Sequence, residues 1–265
     1  MKIGRRCFLI IYKTAQIAKL AGVHPNTIRF YEEMELLPVI PRNSSGYRIF
    51  NDRHLMQLCL LRAAFRAEII SSRLRQEAVE IVKEAASDEL EEAYLNTRIY
   101  LEHLKQEKEK AEEAISITLD IIEAGNSCDS GNGEVILYGR KEAAGLLGIT
   151  IDVLRDWERN GLLEVPRNHS GYRSYGRNEM NRLKIIRILR NANYSMMSIL
   201  RMFNRLDAGE KDIRETINTP GADEDIVCAA DRYITALGLA EEDALKMLAI
   251  LEDMKKEQKI ADRYT

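Results

Sequence analysis

The sequence predicts a mainly α-helical protein: two winged helix-turn-helix domains, each followed by a long coiled-coil helix, with the two coils paired antiparallel. Three observations lead to this fold class. The phrase PRNSSGYRIF at Pro41–Phe50 returns as PRNHSGYRSY at Pro166–Tyr175. Basic and acidic stretches alternate along the chain. Apolar residues recur at intervals of three and four behind each copy of the phrase, as they do in coiled coils.

The repeat extends upstream of this phrase. IRFYEEMELL at Ile28–Leu37 aligns with LRDWERNGLL at Leu154–Leu163, and TAQIAKLAGV at Thr14–Val23 aligns with RKEAAGLLGI at Arg140–Ile149. The copies lie 125 to 126 residues apart, which is too long for one solenoid repeat and indicates a duplicated domain. A chain of 265 residues is long enough for about two domains.

Charge follows the same division. The whole chain carries −3, but residues 1–67 carry +7, 68–137 carry −10, 138–205 carry +7 and 206–265 carry −7. The local charge, and not the sum, sets the potential that a polyanion meets. The two basic blocks are therefore predicted to bind nucleic acid.

Composition predicts the compartment. The chain is 45% hydrophobic and 31% charged, which is typical of a soluble helical protein. The apolar run near the start is too short for a signal peptide, and no segment approaches the length of a membrane span. The cysteines are scattered singly, as expected of reduced thiols in a cytoplasmic protein: Cys7, Cys59, Cys128 and Cys228.

Each basic block is predicted to be a set of short helices with a hairpin. In the first, Thr14 is predicted to cap a helix that runs to about Leu20, Gly22 to turn the chain, and His24-Pro25 to start a second helix. The Ser-Gly turn that follows predicts a two-stranded wing. Caps then predict the next helices: Asn51 or Asp52 for the third, Ser71 or Ser72 for the fourth, and Ser195 for the fourth helix of the second copy.

The acidic blocks have the apolar spacing of helix–helix seams, which we favour over charged helices packed on their own heads. The second seam comprises Ile226, Ala230, Tyr233, Leu237, Ala240, Ala244, Met247, Leu251, Met254 and Gln258. The first has one column of Tyr94, Leu101, Lys108, Ile115 and Ile122, and another of Thr97, Leu104, Ala111 and Thr118. The predicted domains are a first head (1–75), a first coil region (76–124), a linker (125–137), a second head (138–206) and a second coil region (207–265).

These motifs resemble those of the MerR family of bacterial transcription regulators. The first copy has Arg29-Phe30-Tyr31, Leu36-Leu37 and Gly46-Tyr47-Arg48; the second has Arg155-Asp156-Trp157, Gly161-Leu162-Leu163 and Gly171-Tyr172-Arg173. The first copy departs from the family pattern at Glu35, and Glu68 and Asn193 also replace a common glycine. Two heads in one chain are a further departure, since a typical member has one.

The resemblance implies a DNA-binding surface in each head. The recognition helices are expected in the major groove, where Asn suits adenine and Arg suits guanine or phosphate, and the wings are expected against phosphates. Trp157 is expected to pack under the wing, and Asp152 either to accept from a cytosine amino group or to orient Arg155. The predicted DNA-binding residues are Thr14, His24, Asn26, Thr27, Arg29, Tyr31, Arg42, Tyr47, Arg48, Arg140, Thr150, Asp152, Arg155, Arg167, Tyr172 and Arg173.

The implied function is a sequence-specific transcription regulator that binds promoter DNA and distorts the promoter spacer beside RNA polymerase. Two alternatives stay open: an architectural, excisionase-like DNA-bending protein, and an adaptor in which one head holds a protein partner. A single-chain pseudo-dimer is favoured over a homodimer or a domain-swapped form. If a small-molecule effector binds, it should bind between heads and coils, where Tyr94, Tyr100, Tyr194 and Tyr233 either offer aromatic surface or simply pack.

The sequence contains no pattern that predicts an enzyme. A Gly-rich phosphate loop, a paired-cysteine motif and a serine elbow are all missing, and the histidines are scattered. Cys128 is placed where metal-sensing members of the resembled family hold a ligand, but one thiol does not make a site. We therefore predict no cofactor and no metal.

Overall fold

The computed structural model describes residues 10–66, 72–127, 136–210, 212–218 and 232–262. The chain divides into two compact units, one formed by residues 1–105 with 237–265 and the other by residues 106–236. None of the described helices is both long and apolar enough to span a membrane. The linker prediction falls largely on residues 128–135, which lie outside the described part, as do Glu68, Ile226 and Ala230.

The fold is mainly α-helical, as predicted. The first copy of the repeat forms α1 (Thr14–Ala21), α2 (Pro25–Glu33), α3 (Asp52–Arg66) and α4 (Ser72–Ala86), and is followed by the long helix α5 (Leu90–Ser127). The second copy forms α6 (Arg140–Leu147), α7 (Ile151–Arg159), α8 (Arg177–Asn191) and α9 (Met196–Asp207), followed by α10 (Ile213–Asn218) and the long helix α11 (Tyr233–Asp262).

The helix ends follow local chemistry. His24 and Ser195 are N-caps whose side chains accept hydrogen bonds from the amides of Asn26 and Ser198. The predicted cap Ser195 and the predicted start of the second helix at His24-Pro25 are therefore confirmed. Asn51 caps α3 by accepting from the His54 amide at 3.2 Å. The start of α4 at Ser72 is also as predicted.

The predicted capping role of Thr14 is wrong. Thr14 is already the first residue of α1, and Lys13 occupies the cap position. The side chain of Gln16 accepts the Lys13 amide at 2.8 Å, and the Lys13 carbonyl accepts the amides of Gln16 and Ile17 at 2.9 and 3.0 Å, so the helix begins without a threonine cap. The helix ends at Ala21, where Gly22 takes the left-handed conformation with φ +65°.

Each copy builds a small core beneath its recognition helix. In the first, Ile17, Ile28, Phe50 and Leu58 are fully buried. The isolated antiparallel bridges Tyr12↔Phe50 and Tyr138↔Tyr175 join the start of each copy to the end of its wing. In each head, one backbone bridge thus connects the start of the copy to the end of its wing. The recognition helix packs on the buried apolar side chains of this core.

The long helices bury the predicted seams in part. From Tyr233 to Met254 every predicted position of the second seam is buried, whereas Gln258 is exposed. In α5 the column Thr97, Leu104, Ala111 and Thr118 is buried as predicted. In the other predicted column Ile115 is buried as predicted, but the N-terminal part is wrong by one position, since Ala93 and Tyr100 are buried where Tyr94 and Leu101 were expected.

Within the first unit, the two long helices run antiparallel. Glu91 on α5 pairs with Lys255 and lies 4.0 Å from Lys259. About two turns further along α5, burial raises the pKa of Tyr100, and the charges of Glu77 and Asp243 raise it further. Residue 91 of α5 thus lies beside residues 255 and 259 of α11, and residue 100 lies near residue 243, as in an antiparallel pair. The same helix contacts α3, where Arg66 Nε donates to Asp243 Oδ2 at 2.7 Å.

Candidate nucleic-acid interface

The first recognition helix, α2, presents its N-terminal end to solvent. Pro25 occupies the first helical position, where its missing N–H costs nothing. The side chains of His24, Asn26 and Arg29 are exposed and that of Thr27 is half-buried. Arg29 pairs with no carboxylate among the residues that the structure describes. Its guanidinium is therefore available to a base edge or a phosphate.

The second recognition helix, α7, has the same frame and a different charge arrangement. Thr150 is its N-cap and accepts from the Val153 amide at 3.3 Å. Asp152 and Arg155 are exposed and form an ion pair of 3.0 Å with each other. Of the two roles proposed for Asp152, this geometry matches the one in which the carboxylate orients Arg155.

Both wings are held by an asparagine that sequence reasoning did not select. Asn43 Oδ1 accepts from the amides of Ser45 and Tyr47, and Asn168 Oδ1 accepts from those of Ser170 and Tyr172. Side chains that hydrogen-bond their own backbone in this way fix tight turns. The repeated Pro-Arg-Asn phrase could have revealed this role, because the asparagine recurs in register.

The wing tips leave the predicted contact groups exposed. Gly46 and Gly171 both have φ +80°, and a Cβ at either position would meet nothing within 4 Å, so the glycines serve the backbone conformation of the turn. Tyr47 and Tyr172 are each 73% exposed. Arg42 and Arg167 fold back over the tips towards the carbonyls of the two glycines, at 3.4 and 2.9 Å.

The next arginine of each wing is tied to the recognition helix. Arg48 Nε donates to Glu32 at 2.6 Å, and Arg173 Nε lies 3.0 Å from Glu158. These two glutamates, aligned in the repeat, were missing from the predicted site. Their recurrence in register is the signal that could have revealed them, although the sequence does not indicate that their partner is a wing arginine.

The second head adds two partners around Glu158, whose side chain is 4% exposed. Arg140 Nη2 pairs with it at 2.9 Å, and the hydroxyl of Tyr175 donates to it. Burial and this hydrogen bond raise the pKa of Tyr175 to about 12. Arg140, predicted to contact DNA, is thus engaged inside the head, where the first copy has Thr14.

Two other predicted DNA-contact residues are less exposed than a direct DNA contact is expected to be. Thr14 and Tyr31 are half-buried, and burial raises the pKa of Tyr31. Trp157 is buried, in line with packing instead of stacking on a base. Tyr100, Tyr194 and Tyr233 are buried as well, which favours the alternative that they pack. Across the described residues, no cluster of three or more metal-ligating side chains occurs.

These observations describe a helix-turn-helix protein with two heads, each of which has an exposed recognition-helix end and an exposed wing. Comparison with known proteins finds two matching family models. The model of the MerR HTH family regulatory protein matches residues 138–206, and that of the MerR family regulatory protein matches residues 13–50. Residues 13–50 and 138–206 of the chain are therefore each similar to regulatory proteins of the MerR family.

Similar curated proteins are short regulators. A probable heavy metal-dependent transcriptional regulator of Haemophilus influenzae is 37% identical over 75 residues, covering 28% of this chain and 59% of that protein. The HTH-type transcriptional regulator CueR of Escherichia coli is 42% identical over 50 residues, covering 19% and 37%. A ZntR homolog of Haemophilus influenzae is 26% identical over 111 residues, covering 42% and 78%. The chain thus matches about two fifths to three fifths of the first two relatives.

One solved structure also matches: HiNmlR, a MerR family regulator lacking the sensor domain, bound to promoter DNA. It is 22% identical and covers 55% of this chain and 96% of its own, with a TM-score of 0.24.

Proposed function

We propose that this chain is a sequence-specific DNA-binding transcription regulator that uses both heads, residues 1–75 and 138–206, on promoter DNA. The observation that carries the proposal is the repeated pairing of an exposed recognition-helix end with an exposed wing of the same construction. The relatives' description as transcriptional regulators supports it. Distortion of the promoter spacer beside RNA polymerase, in the cytoplasm, is the finer form of this proposal.

The charge of each head supports binding to a polyanion. Residues 1–67 and 138–205 each carry +7, and the wing arginines Arg42 and Arg167 lie at exposed tips. Cations placed at phosphates release condensed counterions, so affinity should fall steeply with salt. Contacts of this kind set the position of a head on the duplex and leave the choice of sequence to the recognition helix.

The salt dependence of binding tests the wing assignment. Log affinity falls with log salt, and the double variant Arg42→Gln/Arg167→Gln should make this fall shallower by about 1.8 in slope, since each lost phosphate contact removes about 0.9. Fluorescence anisotropy with a labelled duplex measures the slope. The control is Lys256→Gln/Lys259→Gln, which removes the same charge from α11. An unchanged slope in the wing variant would show that the wings do not contact phosphates.

We further propose that one chain forms a pseudo-dimer by itself. In the first unit, Arg66 at the end of α3 contacts Asp243 of α11, the long helix of the other copy. In the second unit, Asn193 before α9 donates to Glu107 of α5 at 2.5 Å, and Tyr194 lies 3.4 Å from the Ala111 carbonyl. Each copy thus packs on the long helix of the other copy, as two subunits of a dimer would.

Light scattering during size-exclusion chromatography tests this arrangement. A pseudo-dimer has the mass of one chain, 30.4 kDa, at every concentration. A constant mass of twice that value would favour the homodimer or the domain-swapped form. Arg66→Ala should weaken the head–helix contact without creating a dimer.

A further inference from the structure

The exposed face of the first recognition helix carries an aromatic side chain that is not among the predicted DNA-binding residues. The exposed residues of α2 at spacings of three and four, which share one face of the helix, are Asn26, Arg29, Phe30 and Glu33. Phe30 is 54% exposed. It follows Pro25, the first residue of α2, by about one and a half turns. The ring therefore lies on the same face as the groups that are expected to reach base edges.

The fold of a head does not require an aromatic residue at this position. The aligned residue of the second copy is Asp156, whose side chain is 49% exposed. The buried side of the helix is nevertheless kept, since Ile28 in the first copy and Leu154 in the second are both fully buried. The second copy thus forms the same recognition helix with a carboxylate at the position of Phe30. Packing of the head does not explain why an apolar ring is exposed to solvent there.

The exposed ring is supported by its neighbour in the sequence. The ring centres of Phe30 and Tyr31 lie 6.1 Å apart, with an angle of 49° between the two ring planes. Tyr31 is half-buried in the head. A phenylalanine has only two side-chain torsions, and contact with this neighbouring ring restricts them further. Ordering Phe30 against a ligand therefore costs less conformational entropy than ordering a free lysine or arginine would.

The chemistry of the major groove identifies the partner of such a ring. The edges of the four base pairs present hydrogen-bond donors and acceptors there, and one apolar group, the C5 methyl of thymine. A recognition helix enters this groove with its N-terminal residues towards the bases. Covering a methyl group with an apolar ring removes both from water, which is favourable. An apolar ring on the exposed face of such a helix is therefore complementary to the thymine methyl and to no other group on the base edges.

We propose that Phe30 is a specificity-determining residue of the first head and contacts the C5 methyl of a thymine. This inference rests on the proposed function, because it takes α2 to lie in the major groove of promoter DNA. Arg29 on the same face supplies a charged contact, and Phe30 adds a choice of base that phosphate contacts do not supply. The second head has Asp156 at this position, and a carboxylate gains nothing from a methyl group. The two half-sites therefore differ at the base pair that this position meets.

Replacement of thymine by uracil tests the contact, because uracil lacks the methyl group and keeps every hydrogen-bonding group of thymine. The half-site of the first head is the one that Arg29→Ala relaxes when binding sites are selected from random duplexes. Each thymine of that half-site is replaced in turn, and the affinity of the full chain is measured by fluorescence anisotropy. At one position the wild-type chain should lose affinity about fourfold, the equivalent of about 0.8 kcal/mol for one buried carbon group of this size.

Phe30→Ala separates the protein contact from any effect of uracil on the duplex itself. This variant should bind the thymine and uracil duplexes with affinities within about 1.5-fold of each other, since the two changes remove the same contact. Asp156→Ala is the matched control at the aligned position of the second head, and it should keep the loss of about fourfold. Circular dichroism checks that both variants fold. If Phe30→Ala does not fold, Phe30→Asp takes its place, because the second copy has an aspartate there.

The proposal is overturned if the half-site of the first head prefers no thymine, if no single uracil lowers the affinity of the wild-type chain, or if Phe30→Ala keeps the loss. A wild-type chain that binds no duplex sequence-specifically would overturn the proposed function as well. Tight, sequence-specific binding without a uracil effect would leave the proposed function intact and contradict the methyl contact alone.

Discussion

The two heads share a backbone plan and differ in how they use charge. In the first, Arg29 stands exposed on the recognition helix and Glu32 holds one wing arginine closely at 2.6 Å and a second at 3.6 Å. In the second, Arg155 is paired with Asp152, and Glu158 is buried among two arginines and a tyrosine. A duplicated frame can thus keep its turns and caps while its recognition surface and internal ion pairs diverge.

The largest expected difference between the heads concerns these two glutamates. Glu158→Gln should lower the free energy of unfolding by about 3 kcal/mol, since it leaves two guanidiniums without their buried partner. Glu32→Gln should lower it by about 1 kcal/mol or less, because Glu32 and its partners are more exposed and screened by solvent. Urea denaturation followed by circular dichroism measures both changes.

The control for this pair is Glu33→Gln, an exposed change on the same helix as Glu32, which should leave stability within about 0.5 kcal/mol. Equal losses for Glu32→Gln and Glu158→Gln would mean that burial does not distinguish the two ion-pair sites.

A second difference concerns DNA affinity. Arg29→Ala should weaken binding to the preferred site by about 1–3 kcal/mol, the usual range for an arginine that reads a base. Arg155→Ala should cost less, because Arg155 must first give up or share its 3.0 Å pair with Asp152. Fluorescence anisotropy at fixed salt compares them. If Arg155→Ala lost more DNA affinity than Arg29→Ala, the pair with Asp152 would not be weakening the contact of Arg155 with DNA.

The smallest expected effect is at the loop after each recognition helix. Glu35 has φ +57°, whereas Gly161 at the aligned position has φ +75°. The left-handed conformation costs a residue with a Cβ about 1–2 kcal/mol. Glycine avoids this cost, but it also loses more conformational entropy on folding, which offsets part of the gain. Glu35→Gly should therefore stabilise the protein by about 0.5–1 kcal/mol, and Gly161→Glu should destabilise it by a similar amount.

Thermal denaturation of this reciprocal pair measures the effect. A Cβ at position 161 would come no closer than 4.0 Å to Leu200, so steric crowding does not confuse the comparison. Changes of the same sign in both variants would mean that the backbone conformation is not the cause.

Local signals in the sequence were enough for much of this fold. The helix start at His24-Pro25, the cap Ser195 and the turn at Gly46 depend on a few neighbouring residues, and the structure has them where the sequence predicts them. The prediction for the start of the α5 seam is wrong because Ala93 is small and does not mark the buried face as the neighbouring Tyr94 does. Which face of a helix is covered depends on its partners.

The candidate site divides in the same way. Exposure of Asn26 and Tyr47 follows from their places on a helix end and a wing tip. The burial of Glu158 does not, because its three partners come from α6 and from the wing and are brought together by the fold. The prediction that Arg140 contacts DNA misses its pair with Glu158 for the same reason, because the residues next to Arg140 in the sequence do not reveal that pair.

The most direct test of the central claim, that one chain carries two different DNA-reading heads, is selection of binding sites from a random duplex pool by the full-length chain. The account predicts two unlike half-sites, and repeating the selection with Arg29→Ala should relax one half-site and leave the other intact. A perfect inverted repeat bound by a species of 30.4 kDa, or a single half-site lost completely with Arg29→Ala, would contradict it.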